Sequence, residues 1–305
     1  MLNGIKGTTA RTYETLQQRF IDFCKKFGLL PLPANERTLL LYIAHLETTG
    51  INSGSLNVHL SAIKNLHTIN GFSNCDTRSG QIRLAMRALT INRPPPKQKC
   101  PLTFDKLIEL WPVIQSSKDS AVWKAMISLG FYAGLRGAEY AYDTTNKQSM
   151  PPTLSNIVFD KDNRLLYYNV PSSKTLVHGF QSVVHCSSHY ICAYCCLYEY
   201  IAVKNISGNT GPQDYLFSIG GAVVTKYMLN SFIQKCVAAL GWDPSRYSAH
   251  SLRAGMATTA ADKGLPDWQI KKLGNWKSNA YQLYIRDHKA HTINTALLLA
   301  RGNNN

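Results

Sequence analysis

Apolar positions in the first third of the chain recur at helical spacing. Between Thr9 and Phe27, the residues Tyr13, Leu16, Phe20, Phe23 and Phe27 fall on one face, and Gly28 supplies a stop. A second helix is expected after Asn35, a good N-cap. A third, from about Ser55 to Ile69, buries Leu56, Leu60, Ile63 and Leu66, while Asn57, Ser61 and Lys64 project elsewhere. A fourth follows Asp76 and carries Arg83 and Arg87. The run Pro94, Pro95, Pro96 then breaks the pattern, because three residues without amide donors force an extended path. This predicts a helical domain over 1–92, a linker over 93–101 and a second domain over 102–305.

The second domain opens with two amphipathic helical stretches, LTFDKLIELW and SAVWKAMISLGFYAGLRGAEY. The period then changes. NIVFD, LLYYNV and FQSVVHC are short β-branched or aromatic runs separated by KDNR and PSSKTLVHG, which predicts a small antiparallel sheet. Helices resume near Tyr190 and continue to the end, interrupted around Gly208 to Pro212 and Gly241 to Pro244. The segment HTINTALLLAR reads as a short apolar helix that must pack on its own domain or on a neighbouring protomer. The expected fold class is mostly α with a small antiparallel β-sheet.

Charge narrows the partner. The 305 residues contain 33 Lys and Arg against 18 Asp and Glu, a formal net charge of +15. A polyanion is the natural complement, and basic and amide side chains at Asn57, Ser61, Lys64, Arg83 and Arg87 suit a duplex grip by the first domain. The basic residues are dispersed and no strongly amphipathic basic helix is present, so a membrane role has no support. The start, MLNGIKGTTARTYETLQQ, lacks the apolar core of a signal peptide, and an unsecreted protein is expected. The eight cysteines are then reduced thiols. Cys186, His189, Cys192 and Cys195 recur at three-residue spacing, which could ligate zinc. Such even spacing fits poorly with two separated ligand pairs, so Cys192, Cys195 and Cys196 are read as thiols packed on one helix, with no metal.

Splitting a phosphodiester without a metal requires cationic donors for the phosphorane oxygens, a nucleophile and a proton donor for the leaving oxygen. Arg136 in GLRGAEY and Arg253 in HSLRAG are the candidate phosphate clamps, since planar guanidinium groups bind phosphate through two bonds. His250 lies one turn before Arg253 and faces the same way.

Taken in order, GLRGAEY, PSSKT, HSLRAGMATTAADKG and LGNWKSNAYQLYIR resemble the boxes of the tyrosine recombinase (phage integrase) family. HSLRAG, LGNWKSNAYQLYIR and DPSRYSAHS look most like the recombinases of DIRS- and Ngaro-type eukaryotic retrotransposons. The resemblance implies a helical core-binding domain followed by an α+β catalytic domain. It implies that Arg136 and Arg253 clamp the phosphate, that Glu139 orients Arg136 or His250, and that His250 donates or shuttles a proton. Lys174 would protonate the leaving 5′ oxygen, and Tyr284, nine residues after position 275, would be the nucleophile. Where the family carries His or Trp, this chain has Asn275 followed by Trp276, so either the Asn275 amide or the Trp276 indole serves there. Tyr281 is assigned to packing.

The same resemblance implies double-stranded DNA as partner, four protomers on two DNA sites from a monomer when free, and no cofactor. It also implies the nucleus if the host is eukaryotic, and otherwise the cytoplasm. Two other functions use the same residues: a type IB topoisomerase-like activity, and a catalytically inactive DNA-binding derivative for which Asn275 is the support.

Overall fold

The computed structural model describes residues 7–51, 53–73, 75–91, 99–146, 149–171, 179–206 and 211–285. Two compact units divide the chain, Met1–Pro96 and Lys97–Asn305. The prolines at 94–96, the 172–178 segment that contains Lys174, and 286–305 with the apolar carboxy-terminal segment lie outside the described residues.

Among the described residues, the first unit contains four helices: α1 (Gly7–Lys26), α2 (Glu36–Thr48), α3 (Ser53–Ile69) and α4 (Gly80–Ile91). Phe20, Phe23, Leu39, Tyr42, Ile43, Leu56, Leu60, Ile63 and Leu66 form its core. Asn35 caps α2 through a 2.9 Å bond from the Thr38 amide. Phe27 departs from its expected burial: α1 ends at Lys26, and the Phe27 side chain is 53% exposed beyond the last turn. Buried polar groups here are paired. Tyr42 Oη lies 2.9 Å from His59 Nδ1, and His67 Nε2 accepts from the Ala34 amide at 2.8 Å.

The second unit is built on α5 (Phe104–Gln115), α6 (Ser120–Tyr132), α7 (Gly137–Tyr140), α8 (Ala193–Ile206), α9 (Lys226–Ala239), α10 (Ala249–Asp262) and α11 (Asp267–Leu273). Strands β1 (Ile157–Asp160), β2 (Leu165–Val170) and β3 (Phe180–His185) form an antiparallel sheet in the order β1-β2-β3, where Tyr168 faces Ile157 on one side and Ser182 on the other. Inward Leu166, Tyr168 and Val170 join the core, as period-two alternation requires. The predicted continuous helix through GLRGAEY is broken: α6 stops at Tyr132, and Gly134, at φ +56°, turns the chain before α7. Helix α8 starts at Ala193 rather than near Tyr190, and a hairpin of β4 (Ser218–Ile219) and β5 (Ala222–Val223) follows it.

Helix α10 lies at the centre of this unit. Nearly every residue from Ala249 to Ala260 is buried, and its Ala and Gly positions admit neighbours closely. A Cβ on Gly255 would collide with the Leu102 carbonyl oxygen, so only glycine lets the entering chain cross the helix there. No helix among the described residues is long and apolar enough to cross a membrane.

Candidate active site

The turn after α6, the first two turns of α10 and the loop after α11 converge on one cluster. Gly134 makes the first approach possible: a Cβ there would collide with Met256 Cε and stand 3.2 Å from the Gly274 Cα. The Gly134 carbonyl accepts a hydrogen bond from Arg253 Nη1. Arg136 follows, and Glu139 at the third position of α7 holds it twice, accepting from the Arg136 amide at 2.7 Å and from Nη1 at 2.8 Å. The Glu139 side chain is 2% exposed and that of Arg136 27%, so a buried carboxylate fixes a guanidinium that still reaches solvent. Tyr168 Oη donates to the Glu139 carbonyl at 2.7 Å, which ties α7 to the sheet.

Arg253 is buried, and its guanidinium carbon lies 4.0 Å from the centroid of the Trp276 ring. Its Nη2 has no hydrogen-bond partner among the described residues. An unpaired buried guanidinium nitrogen is costly and calls for an acceptor. Burial, and then the neighbouring charge of Arg136, pull the Arg253 pKa down to about 10, against smaller opposing effects of Glu139 and Tyr284. It remains a cation at neutral pH. His250 has its pKa lowered by desolvation and by the charges of Arg253 and Arg136, which favours its neutral form, although its surface remains exposed. Two cations and this imidazole face a space suited to an oxyanion.

Tyr284 borders the same space. Its ring centroid lies 5.0 Å from that of His250, edge to face, and 5.8 Å from that of Trp276. Thr258, on α10, donates to the Tyr284 carbonyl at 2.8 Å and so fixes the segment after the short 3-10 helix Asn279–Leu283. Tyr281, three residues earlier, is fully buried, with its ring 6.1 Å from that of Trp276, whereas Tyr284 is only half-buried.

Asn275 and Trp276 separate. Asn275 is in the left-handed region at φ +50° and completes a Schellman cap, in which its amide bonds to Lys272 O at 3.2 Å and that of Trp276 to Lys271 O at 2.9 Å. It also lines an apolar groove of about 590 Å³ with Phe180, Val183, Leu265, Trp268 and Leu273. Trp276 folds back over Gly274, where a Cβ would collide with the indole ring, and reaches Arg253. Of the residues singled out in the sequence, Arg136, Glu139, His250, Arg253, Trp276 and Tyr284 are brought together. Lys174 lies outside the described residues. Gly134, Tyr168 and Thr258 were not anticipated, because each acts through a backbone group that no side-chain pattern reveals.

In the first unit, Asn57, Ser61 and Lys64 form an exposed stripe on α3, and Arg83 and Arg87 an exposed pair on α4. None is in an ion pair among the described residues, which leaves the cations available to an external anion.

No family model matches the chain. Over 277 residues it is 24% identical to an integrase/recombinase xerD homolog of Selenomonas ruminantium, covering 88% of this chain and 78% of that protein. Among solved structures it is similar to the Tn1549 transposon integrase in complex with transposon right end DNA, with a TM-score of 0.66 and 14% identity over 99% of this chain and 96% of that one. It is also similar to the XerH site-specific recombinase bound to its palindromic difH substrate, with a TM-score of 0.68 and 15% identity over 95% of this chain and 80% of that one. A lambda integrase dimer bound to a COC' core site gives a TM-score of 0.61 at 17% identity, over 94% and 92% of the two chains. The mostly helical unit with its small antiparallel sheet thus has the tyrosine recombinase catalytic fold. At 14% to 17% identity these structures share a fold with this chain, and the xerD homolog adds a sequence likeness over most of its length.

Proposed function

We propose that this protein is a site-specific DNA recombinase that cuts and rejoins strands through a 3′-phosphotyrosyl intermediate. The observation that carries the reading is the buried Arg253 Nη2, unpaired among the described residues, beside Arg136, His250 and the half-buried Tyr284. A scissile phosphate supplies the missing acceptor. Arg136 and Arg253 bind its non-bridging oxygens, and their charge grows in value as the phosphorane forms. Tyr284 Oη attacks phosphorus and the bond to the 5′ oxygen breaks. Lys174 protonates that leaving oxygen, while His250 takes up or relays the tyrosine proton. In the reverse step a 5′ hydroxyl attacks the phosphotyrosine and Tyr284 leaves. The phosphodiester energy is retained in the protein–DNA bond, so no nucleotide cofactor enters.

Glu139 positions Arg136, and Trp276 positions Arg253 by stacking. Because Asn275 has its own reason to be present as a helix cap, it carries no weight for an inactive derivative. Asn57, Ser61, Lys64, Arg83 and Arg87 bind backbone phosphates of the duplex. The sequence resemblance favours a tetramer on two DNA sites, built from a monomer that is free in solution. The sequence resemblance favours movement of a DIRS- or Ngaro-type element, with the nucleus as workplace. A nicked suicide substrate tests the chemistry: loss of the short strand beyond the nick must leave a denaturation-resistant protein–DNA adduct. Absence of any adduct on a sequence that the protein binds specifically would contradict the reading.

A further inference from the structure

Outside this site, three of the four residues at three-residue spacing meet in space. Cys186 directly follows β3, Cys192 sits in the turn before α8, and Cys195 is in the first turn of α8. The Cys186 sulfur lies 3.6 Å from that of Cys195 and 3.7 Å from that of Cys192, and all three sulfurs lie within 4.8 Å of one another. A disulfide would need about 2.05 Å. A tetrahedral zinc ion with Zn–S bonds of about 2.3 Å separates its sulfurs by about 3.8 Å, close to the two shorter distances here.

The surroundings fit thiolates. Arg164 Nη2 donates to the Cys186 sulfur at 3.0 Å, and the Ser187 amide donates to that of Cys192 at 3.3 Å. N–H donors aimed at sulfur support the ligating form, and the Arg164 charge offsets the single negative charge left by three thiolates on a divalent cation. His189 stays out of the cluster: its Nδ1 accepts from the Ile191 amide at 3.2 Å and its ring packs on Phe104 and Tyr190. Cys186 and Cys192 are buried and Cys195 is half-buried, so an exogenous ligand reaches the fourth position from the Cys195 side.

We propose that Cys186, Cys192 and Cys195 form a zinc site that ties the end of β3 to the start of α8. Three thiols bind one Zn²⁺ and release three protons, with a water in the fourth position. The ion takes no part in phosphodiester chemistry. It braces the strand that returns from the 171–179 connection, and it adds to the stability of the folded state by mass action.

Cobalt substitution in the reduced, full-length protein tests this. One equivalent of Co²⁺ per chain should produce the near-ultraviolet sulfur-to-cobalt charge-transfer band and the strong visible bands of a thiolate-rich tetrahedral site, and Zn²⁺ should abolish both. Cys195→Ser should weaken Zn²⁺ binding beyond the roughly 10- to 100-fold typical of losing an outer-shell partner. Cys236→Ser, at a buried thiol on α9, should change nothing. Zn²⁺ should also slow alkylation of Cys186, Cys192 and Cys195 together in the unmutated protein, a readout independent of whether the serine variants fold. No charge-transfer band, or no joint protection by one equivalent of Zn²⁺, overturns the site.

Discussion

The two units place their polar residues in opposite ways. In the first, α3 is amphipathic: Leu56, Leu60 and Ile63 are buried, and Asn57, Ser61 and Lys64 stand in water. In the second, α10 is buried almost all round, and its Arg253 is among the largest fully buried side chains of the protein. A solvated cation can meet a phosphate anywhere along a duplex and costs little to keep. A buried one must be held by specific partners, here Gly134 O and the Trp276 ring, and it points at one location. The first arrangement suits affinity and the second suits chemistry.

The largest effect that sharpens this contrast belongs to the buried cluster. Arg253→Ala and Arg136→Ala should each slow cleavage by about 10² to 10³ or more, the range for losing one preorganised donor, in single-turnover assays on folded protein. Lysine at either position should not restore the rate, since an ammonium cannot bind two oxygens in a plane. Near-normal cleavage in either alanine variant would remove the distinction between the units.

A smaller effect is expected at the exposed cations. Alanine at Lys64, Arg83 or Arg87 should leave the melting transition unchanged to within about 0.5 kcal/mol, as for most surface substitutions. Each should lower the salt slope of DNA binding by about 0.9 for every phosphate that the side chain had neutralised. An unchanged slope in all three would break the assignment of this face to DNA.

The smallest effect is a titration. His59 in the first unit and His250 in the second both have pKa values lowered from 6.5, with burial as the main cause. An unfolded chain therefore takes up more protons than the folded one as pH falls below about 6.5, and stability should decline in that window, with both groups contributing fully only above it. NMR titration should separate them. Bound DNA phosphate should raise the His250 pKa by neutralising Arg136 and Arg253, and should leave that of His59 where it is.

Much of this architecture was legible in the sequence, for identifiable reasons. The α3 core and the three-stranded sheet follow side-chain periodicity, which burial on one face imposes directly. The break between α6 and α7 was hidden because Leu135 and Ala138 continue the apolar rhythm through a turn set by the backbone of Gly134. The two-residue strands β4 and β5 are too short to show a period. Asn275 left two alternatives open, although Lys271, Lys272, Gly274 and Asn275 together carry the signature of a capped helix end. The cysteines are a different case. Of Cys192, Cys195 and Cys196, read as thiols on one helix, the last two lie on α8 and Cys192 in the turn just before it, while the approach of Cys186 from the end of β3 is a tertiary contact that spacing does not reveal.

The central claim is that Tyr284, rather than the buried Tyr281, forms the bond to DNA. Mass spectrometry of the proteolysed suicide-substrate adduct reads this directly. The nucleotide should be found on the peptide containing Tyr284, Tyr284→Phe should give no adduct at nearly unchanged DNA affinity, and Tyr281→Phe should still give one. An adduct on Tyr281, or one that persists in Tyr284→Phe, would contradict the account.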